Sequence, residues 1–251
     1  MVYMGGKQKI AKFIVPYINS FIKDNQIENF YDVFCGGGNI CCNIICPNIY
    51  ASDISPTLIA LHQKAQSDFS SICTDSSREQ WDRCYTEYKR LKLNGFKDPQ
   101  IPLDEIGAIE WLACYNGRGF PGGYGIKTEG RNFFETRLKN LEDQSKLEAY
   151  KKIQFSCQDY TKVEIKPNSI IYADSPYKGS KPYGINPKFA YYQYYDWLME
   201  TAKTTPIFIS EQYLPDTIPY KIIWQKEVKR TVGQNVKNFK AIETLFFLDL
   251  R

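Results

Sequence analysis

Three apolar segments of this chain each end at or near an aspartate, and this pattern constrains the fold most strongly. Residues 29–34, 49–53 and 169–173 are short, apolar and rich in β-branched or aromatic side chains, which predicts strands. Helical spacing over 8–23 and 57–65 predicts a helix before the first strand and another after the second. This alternation is typical of a parallel α/β sheet, whose ligands bind where the strands end. The candidate residues there are Asp32, Asp53 and Asp174.

The middle of the chain has a different pattern from its two ends. Between residues 67 and 150 the sequence predicts helices over 79–93, 103–116 and 134–152, interrupted by a glycine-rich loop at 116–125. Further strands are predicted at 153–157 and 206–210, and the last pair, 221–228 and 241–250, predicts a long hairpin that closes the sheet. The chain has 251 residues, of which 43% are hydrophobic, which is enough for one core with an insertion. We expect one α/β domain, residues 1–66 and 151–251, interrupted by a mostly helical subdomain at 67–150.

Composition disfavours several other classes of protein. No apolar run reaches membrane-spanning length, and no secretory signal is recognisable. The eight cysteines show neither a CxxC pair nor a zinc-ligand spacing with the single histidine, His62. Reduced thiols, a cytoplasmic location and no metal site are therefore expected, and His62 is interpreted as an ordinary helix residue. The formal net charge of +4 is compatible with a polyanionic partner.

A run of three glycines follows the first predicted strand, in the sequence DVFCGGG at residues 32–38. Glycines let the backbone approach a ligand closely, and the helix predicted over 39–45 would present free amide groups. Asp53 lies 21 residues after Asp32. In dinucleotide-binding folds an acidic residue at this spacing binds the ribose hydroxyls. The alternative is a tight strand-to-helix turn with a capping aspartate. A nicotinamide oxidoreductase is disfavoured because the full GxGxxG spacing is missing.

Two shorter segments are also candidates for a functional site. Lys7 follows two glycines and precedes a predicted helix, whose N-terminal dipole disfavours a cation. We therefore expect Lys7 to face a carboxylate of the protein or of a ligand, although a solvated N-terminus is the plain alternative. The second segment, residues 174–177 (DSPY), follows an apolar strand. A carboxylate, a proline-stiffened turn and an aromatic ring can hold a flat amine, because the oxygens accept its hydrogen bonds and the ring stacks on its base.

In this order, the segments resemble the Dam-like class of adenine-N6-specific DNA methyltransferases, many of which are carried by bacteriophages or restriction systems. The resemblance covers nearly the whole chain and rests on YMGGK at 3–7, DVFCGGG at 32–38, ASDI at 51–54, QDY at 158–160 and DSPY at 174–177. It implies a Rossmann-like methyltransferase sheet with a terminal β-hairpin and an inserted helical subdomain, and S-adenosylmethionine as cofactor. The implied cofactor-binding residues are Tyr3, Gly5, Gly6, Lys7, Asp32, Phe34, Cys35, Gly36, Gly38, Asp53, Ile54, Asp159, Tyr160 and Asp174.

The resemblance also implies how a target adenine would be held. The base would be flipped out of duplex DNA and stacked on Tyr177, with its amine bound by the Asp174 carboxylate and the Ser175 carbonyl. The implied catalytic residues are Asp174, Ser175, Pro176 and Tyr177. The family usually has proline where this chain has Ser175, so the carbonyl acceptor remains and the rigidity of two prolines is lost. Two alternatives stay open: a methyltransferase of RNA or a protein amide, and a DNA-binding protein with weak or no catalysis.

The helical insertion is the expected target-recognition region, and double-stranded DNA is the expected partner of a monomer or weak dimer. A flexible glycine-rich loop with a cation and aromatic side chains can reach base edges or phosphates, and a basic stretch at the hairpin can reach phosphates. An ordinary surface loop and a solvated strand face are the alternatives. For the aromatic run at residues 191–197, core packing is favoured over base stacking. The candidate DNA-binding residues are Asn116, Arg118, Tyr124, Lys127, Lys229 and Arg230.

Overall fold

The computed structural model describes residues 5–128, 131–177, 189–230 and 239–251. Its helices are α1 (Ala11–Asp24), α2 (Pro56–Ser67), α3 (Arg78–Leu93), α4 (Leu103–Leu112), α5 (Phe133–Ser145), α6 (Glu148–Lys152) and α7 (Tyr191–Thr201). Its strands are β1 (Asn29–Asp32), β2 (Asn48–Asp53), β3 (Lys127–Thr128), β4 (Arg131–Asn132), β5 (Ile153–Cys157), β6 (Ser169–Ala173), β7 (Ile207–Glu211), β8 (Lys221–Arg230) and β9 (Phe239–Leu248). Within this part of the chain, no helix is both long enough and apolar enough to cross a membrane.

A seven-stranded sheet organises the molecule, with strand order β5-β2-β1-β6-β7-β9-β8. The first five strands in this order pair in parallel, and β9 is antiparallel to both of its neighbours. The predicted α/β fold and its terminal hairpin, formed by β8 and β9, are therefore confirmed. Asp32 is level with Ala51 on one side and Tyr172 on the other, so Asp53 and Asp174 each lie two residues further along at the same edge.

Helices cover both faces of the sheet. Alternate residues of β6 accordingly belong to two different buried clusters. Ile170 and Tyr172 pack in a cluster that includes apolar residues of α1, α2 and α4. Ile171 and Ala173 point the other way and pack in a cluster that includes residues of α7. This two-residue alternation is the pleat of a strand that is buried on both sides. It makes β6 a rigid support for the turn that follows it.

The α4 helix packs directly against α2 through a glycine. A Cβ atom built on Gly107 would lie 2.1 Å from the backbone oxygen of Thr57, so only glycine allows the two helices to approach this closely. Ile106, Ala108 and Ile109 of α4 belong to the same buried cluster as residues of the sheet. The helical segment between residues 67 and 150 therefore shares its core with the α/β sheet.

The structure corrects three predicted helices. The helix predicted over 39–45 is wrong, because only a single 3-10 turn forms there, at Cys41–Asn43. Ile44 is already extended, and the amide of Ile45 donates to the Asn19 side chain instead of continuing a helix. The helix predicted over 103–116 ends at Leu112, since Cys114 pairs with Tyr124 in a β-bridge. The helix predicted over 134–152 is two helices, which are separated by the extended Leu147.

Candidate active site

The glycine turn after β1 is tied to the end of β2 by Asp53. One carboxylate oxygen of Asp53 accepts a hydrogen bond from the Gly36 amide at 3.1 Å, and the other accepts one from the Ser55 amide at 3.0 Å. Gly36 and Gly38 have φ angles of 46° and 70°, a left-handed backbone region that glycine enters without strain. Burial raises the pKa of Asp53, and these amides partly oppose the shift. Each carboxylate oxygen can accept a second hydrogen bond, so Asp53 retains capacity for ligand hydroxyls.

The His62 side chain holds the backbone of the same glycine turn. Its Nε2 atom lies 2.8 Å from the Gly36 carbonyl oxygen, and its Nδ1 atom lies 2.8 Å from the Tyr150 hydroxyl. A carbonyl oxygen only accepts, so Nε2 carries the proton and Nδ1 accepts from Tyr150. The ring also stacks on Phe155, and Gln144 donates to the Gly37 carbonyl at 3.0 Å. Burial lowers the pKa of His62 to about 4, which keeps the imidazole neutral.

Asp174 begins the turn that follows β6, and Lys7 lies against it. The Lys7 Nζ atom is 2.6 Å from an oxygen of Asp174, and the side chains are only 6% and 16% exposed. Lys7 also donates to the Gly5 carbonyl at 3.3 Å, which shapes the segment before α1. The prediction that Lys7 faces a carboxylate is therefore confirmed. The Lys7 Nζ atom is also 4.5 Å from the centroid of the Tyr177 ring, a cation–π contact.

The rest of the turn is held by residues distant in the sequence. The Tyr177 hydroxyl donates to the Glu243 carboxyl group of β9 at 2.7 Å, and the Tyr191 hydroxyl of α7 donates to the Pro176 carbonyl at 2.9 Å. Burial, with the nearby Asp174 and Glu243, raises the pKa of Tyr177 well above its usual range, so it stays a phenol. Ser175 is buried. Neither Tyr191 nor Glu243 was singled out as a site residue from the sequence.

Two further carboxyl groups, those of Asp32 and Glu211, lie at this edge of the sheet, and each has one buried oxygen that is unpartnered among the described residues. Burial, together with the charge of Asp174, raises the pKa of each group to about 8. Such unpartnered polar oxygens are the kind of group that a polar ligand satisfies. This fits the hydroxyls and amino group of S-adenosylmethionine.

An aromatic cluster lies beside the glycine turn. The ring of Phe34 is 5.0 Å from that of Tyr160 and 5.8 Å from that of Tyr194, measured between centroids. Asp159 caps the 3-10 turn Tyr160–Lys162 by accepting from the amide and the hydroxyl of Thr161. In the aromatic run at the start of α7, Tyr194 is buried in the core and Tyr192 is exposed. The favoured core-packing interpretation therefore holds for Tyr194.

The predicted DNA-binding residues fall on three elements, namely the loop after α4 and the strands β3 and β8. Asn116, which has a φ of 53°, and the exposed Arg118 lie in the loop after α4. The Tyr124 hydroxyl donates to the Ser76 carbonyl at 2.7 Å, so part of this side chain fastens the loop to the segment before α3. Lys127 lies on β3, and Lys229 and Arg230 on β8. The side chains of these three residues, and the whole of Tyr3, fall outside the described part of the structure.

Comparison with known proteins identifies the family of this chain. The family described as D12 class N6 adenine-specific DNA methyltransferase matches residues 3–207. A Type II methyltransferase, M.MjaIII, of Methanocaldococcus jannaschii is 25% identical over 220 residues, which cover 78% of this chain and 73% of the relative. Enzymes of the matched class take their methyl group from S-adenosylmethionine. The chain belongs to the D12 class of N6 adenine-specific DNA methyltransferases, and its activity is DNA adenine methylation.

Proposed function

We propose that this enzyme methylates the N6 amine of an adenine that has been flipped out of double-stranded DNA, and that residues 174–177 hold the flipped base. The observation that carries the proposal is the fixation of this turn from three sides. Lys7 contacts its carboxylate, Tyr191 its proline carbonyl and Glu243 its tyrosine hydroxyl. A turn with a fixed acceptor and a fixed aromatic ring is preorganised for a flat amine. Extrusion is needed because the N6 atom cannot be reached inside the base stack.

The hydrogen-bond acceptors of the turn would make the amine a better nucleophile. The lone pair of an aromatic amine is delocalised into its ring. Hydrogen bonds from the two N–H groups to the Asp174 carboxylate and the Ser175 carbonyl would localise that lone pair on nitrogen. Tyr177 would supply the stacking surface, worth about 1–3 kcal/mol per base in other proteins. When bound, S-adenosylmethionine supplies the methyl group as a cationic sulfonium.

The cofactor would be held by the glycine turn and its surroundings. Asp53 would bind the ribose through its remaining acceptor capacity, and Asp159 with the Tyr160 backbone would contact the adenine ring. Asp32 would accept from a polar group of the ligand, which satisfies its orphaned oxygen. The other residues proposed to line the cofactor are Tyr3, Gly5, Gly6, Lys7, Phe34, Cys35, Gly36, Gly38, Ile54 and Asp174.

Residues 67–150 would form the target-recognition region. The loop after α4 carries a cation at its exposed surface, and the β-hairpin of β8 and β9 carries the densest basic stretch of the chain. Cations on two elements can bind phosphates on both sides of an extruded base, which favours duplex DNA as the substrate. The proposed DNA contacts are Asn116, Arg118, Tyr124, Lys127, Lys229 and Arg230.

Methyl transfer from labelled S-adenosylmethionine tests this proposal directly. The acceptors compared are duplex DNA, the same DNA as single strands, RNA and protein, with Asp174→Asn as the inactive control. Sequencing of DNA from cells that express the enzyme, by a method that reads N6-methyladenine, identifies the target site. We expect transfer to duplex adenine with the unaltered enzyme. A preference for single strands would contradict the duplex proposal, and full activity of the Asp174 variant would contradict the assigned role.

Ser175, which replaces the usual proline, suggests one alternative function: a protein that binds DNA without methylating it. Proline at this position would restrict the backbone before Tyr177, an effect worth about 0.4–1 kcal/mol where the conformation allows it. If that restriction acts on the bound base, Ser175→Pro raises kcat about two- to fivefold. Unchanged kcat would show that rigidity at residue 175 does not limit the reaction. DNA binding without transfer in the natural protein, with transfer restored by the proline, would favour the binding-only alternative.

A further inference from the structure

We infer that Glu243 is a positioning residue of the methylation reaction, because its carboxyl group fixes the ring of Tyr177 in the orientation on which the target adenine stacks. This inference rests on the proposed function, in which Tyr177 is the stacking surface. It adds a residue that lies 66 positions after Tyr177, on another element of the fold, and outside every motif described above.

The hydrogen bond between the two residues is short and shielded from water. The Tyr177 hydroxyl lies 2.7 Å from the Oε2 atom of Glu243, and Glu243 is only 7% exposed. Water competes poorly for a hydrogen bond in a buried site. Glu243 lies within β9, where it pairs with Lys226 of β8, and the next five residues of β9 pair with β7. The acceptor is therefore mounted on a rigid part of the sheet.

Contacts from distant elements hold the Tyr177 side chain in the turn that follows β6. Its ring is held at the hydroxyl by Glu243 and covered on one face by the Lys7 ammonium group, 4.5 Å from the ring centroid. A tyrosine side chain without the hydroxyl anchor can rotate about two torsions. A base that stacks on a mobile ring must first immobilise it, which opposes binding of the flipped state. The anchor at Glu243 removes that requirement before DNA arrives.

The hydrogen bond to Glu243 also gives a functional reason for tyrosine rather than phenylalanine at position 177. Both rings offer the same stacking face to a base. Only tyrosine offers the hydroxyl that reaches β9. Loss of either partner should therefore weaken base holding to the same degree, and loss of both should cost no more than loss of one.

The test uses single and double variants and a fluorescent base. Once sequencing has identified the target site, 2-aminopurine replaces its adenine in a duplex, where emission rises on flipping and is quenched by stacking on an aromatic ring. Tyr177→Phe removes only the hydroxyl, Glu243→Leu removes the acceptor, and Glu243→Gln keeps an acceptor oxygen. We expect the first two variants to lower kcat/KM about three- to tenfold and to raise the emission of the flipped base. The double variant should match either single variant, and Glu243→Gln should stay near the natural enzyme.

A matched control separates base positioning from general stability. The Tyr172 hydroxyl also makes a buried 2.7 Å hydrogen bond, to Ser210, within the same sheet. Tyr172→Phe should lower the unfolding temperature without changing the emission of the flipped base. Normal emission and kinetics in Tyr177→Phe, or effects that multiply in the double variant, would overturn the role of Glu243.

Tyr177→Ala distinguishes failure of this inference from failure of the proposed function. If Tyr177→Ala leaves emission and kinetics unchanged, Tyr177 is not the stacking surface and the proposed function fails with it. If Tyr177→Ala abolishes methylation while Tyr177→Phe and Glu243→Leu behave normally, only the positioning role of Glu243 is wrong.

Discussion

His62 makes the stability of this enzyme depend on pH in a way that can be isolated. Its imidazole is fully buried, and burial lowers its pKa from 6.5 to about 4. The unfolded chain binds a proton at this residue below pH 6.5, whereas the folded protein does not until the pH approaches 4. The contribution of His62 to stability is therefore complete above pH 6.5 and is lost as the pH falls toward 4.

The magnitude follows from the two pKa values. Between pH 7 and pH 5 the difference in proton binding removes about 2 kcal/mol from the free energy of unfolding. A His62→Gln variant cannot titrate at this position but keeps a polar side chain beside Gly36. The gap in unfolding free energy between the natural protein and this variant should therefore shrink by about 2 kcal/mol over the same interval. Every other titrating group is common to both proteins and cancels in the comparison.

Urea unfolding of both untagged proteins at pH 7, 6 and 5 measures this gap. Because the chain has a single histidine, an NMR titration of the imidazole reports the same pKa directly, without assignment among several rings. A histidine resonance that titrates near pH 6.5 in the folded protein, or a gap that does not change with pH, would refute the reasoning. It would mean that the imidazole is not neutral beneath the glycine turn.

Two further predictions concern residues that are proposed to line the cofactor. Lys7→Met removes the ammonium group that contacts the largely buried Asp174 carboxylate and should cost about 3 kcal/mol of unfolding free energy. Lys151→Met removes an exposed ion pair and should cost much less. Chemical denaturation compares the two variants, and equal costs would contradict the burial argument. Gly38→Ala and Gly95→Ala both place a side chain at a φ of 70°, but only at Gly38 does the new Cβ meet a side-chain nitrogen, at 2.7 Å. Gly95→Ala should lower the unfolding free energy by about 1 kcal/mol, and Gly38→Ala should lower it more. Calorimetry should also show weaker S-adenosylmethionine binding by Gly38→Ala. Equal binding by both variants would count against contact between the glycine turn and the cofactor.

The sequence was most informative where local pattern and strand ends decide the structure. The α/β sheet and the hairpin of β8 and β9 were predicted from the alternation of apolar segments with helical spacing, although a single 3-10 turn stands in place of the helix predicted between β1 and β2. The contact of Lys7 with a carboxylate was predictable because a cation is unfavourable at a helix N-terminus.

Contacts between distant segments left no local signal. The hydroxyl of Tyr150 is 88 positions from His62, and nothing in the spacing of either residue indicates that they meet beneath a glycine turn. The same holds for Glu243, whose place beside Tyr177 depends on β7 lying between β6 and β9 in the sheet. The helix predicted over 39–45 failed for a related reason, since the Asn19 side chain of α1 captures the amide of Ile45.

The charges at the strand ends bear on which amine the enzyme accepts. Like charges in a buried site cannot all ionise. Burial and the nearby Asp174 raise the pKa of Asp32 and of Glu211 to about 8, so both groups are mostly protonated at pH 7. Asp174 is in turn balanced by Lys7. A cationic alkylamine entering this turn would be repelled by the Lys7 ammonium and would find little unbalanced negative charge. A neutral aromatic amine needs only hydrogen-bond acceptors and a flat surface, which Asp174 and Tyr177 provide, so the charge balance favours adenine over a protonated amine.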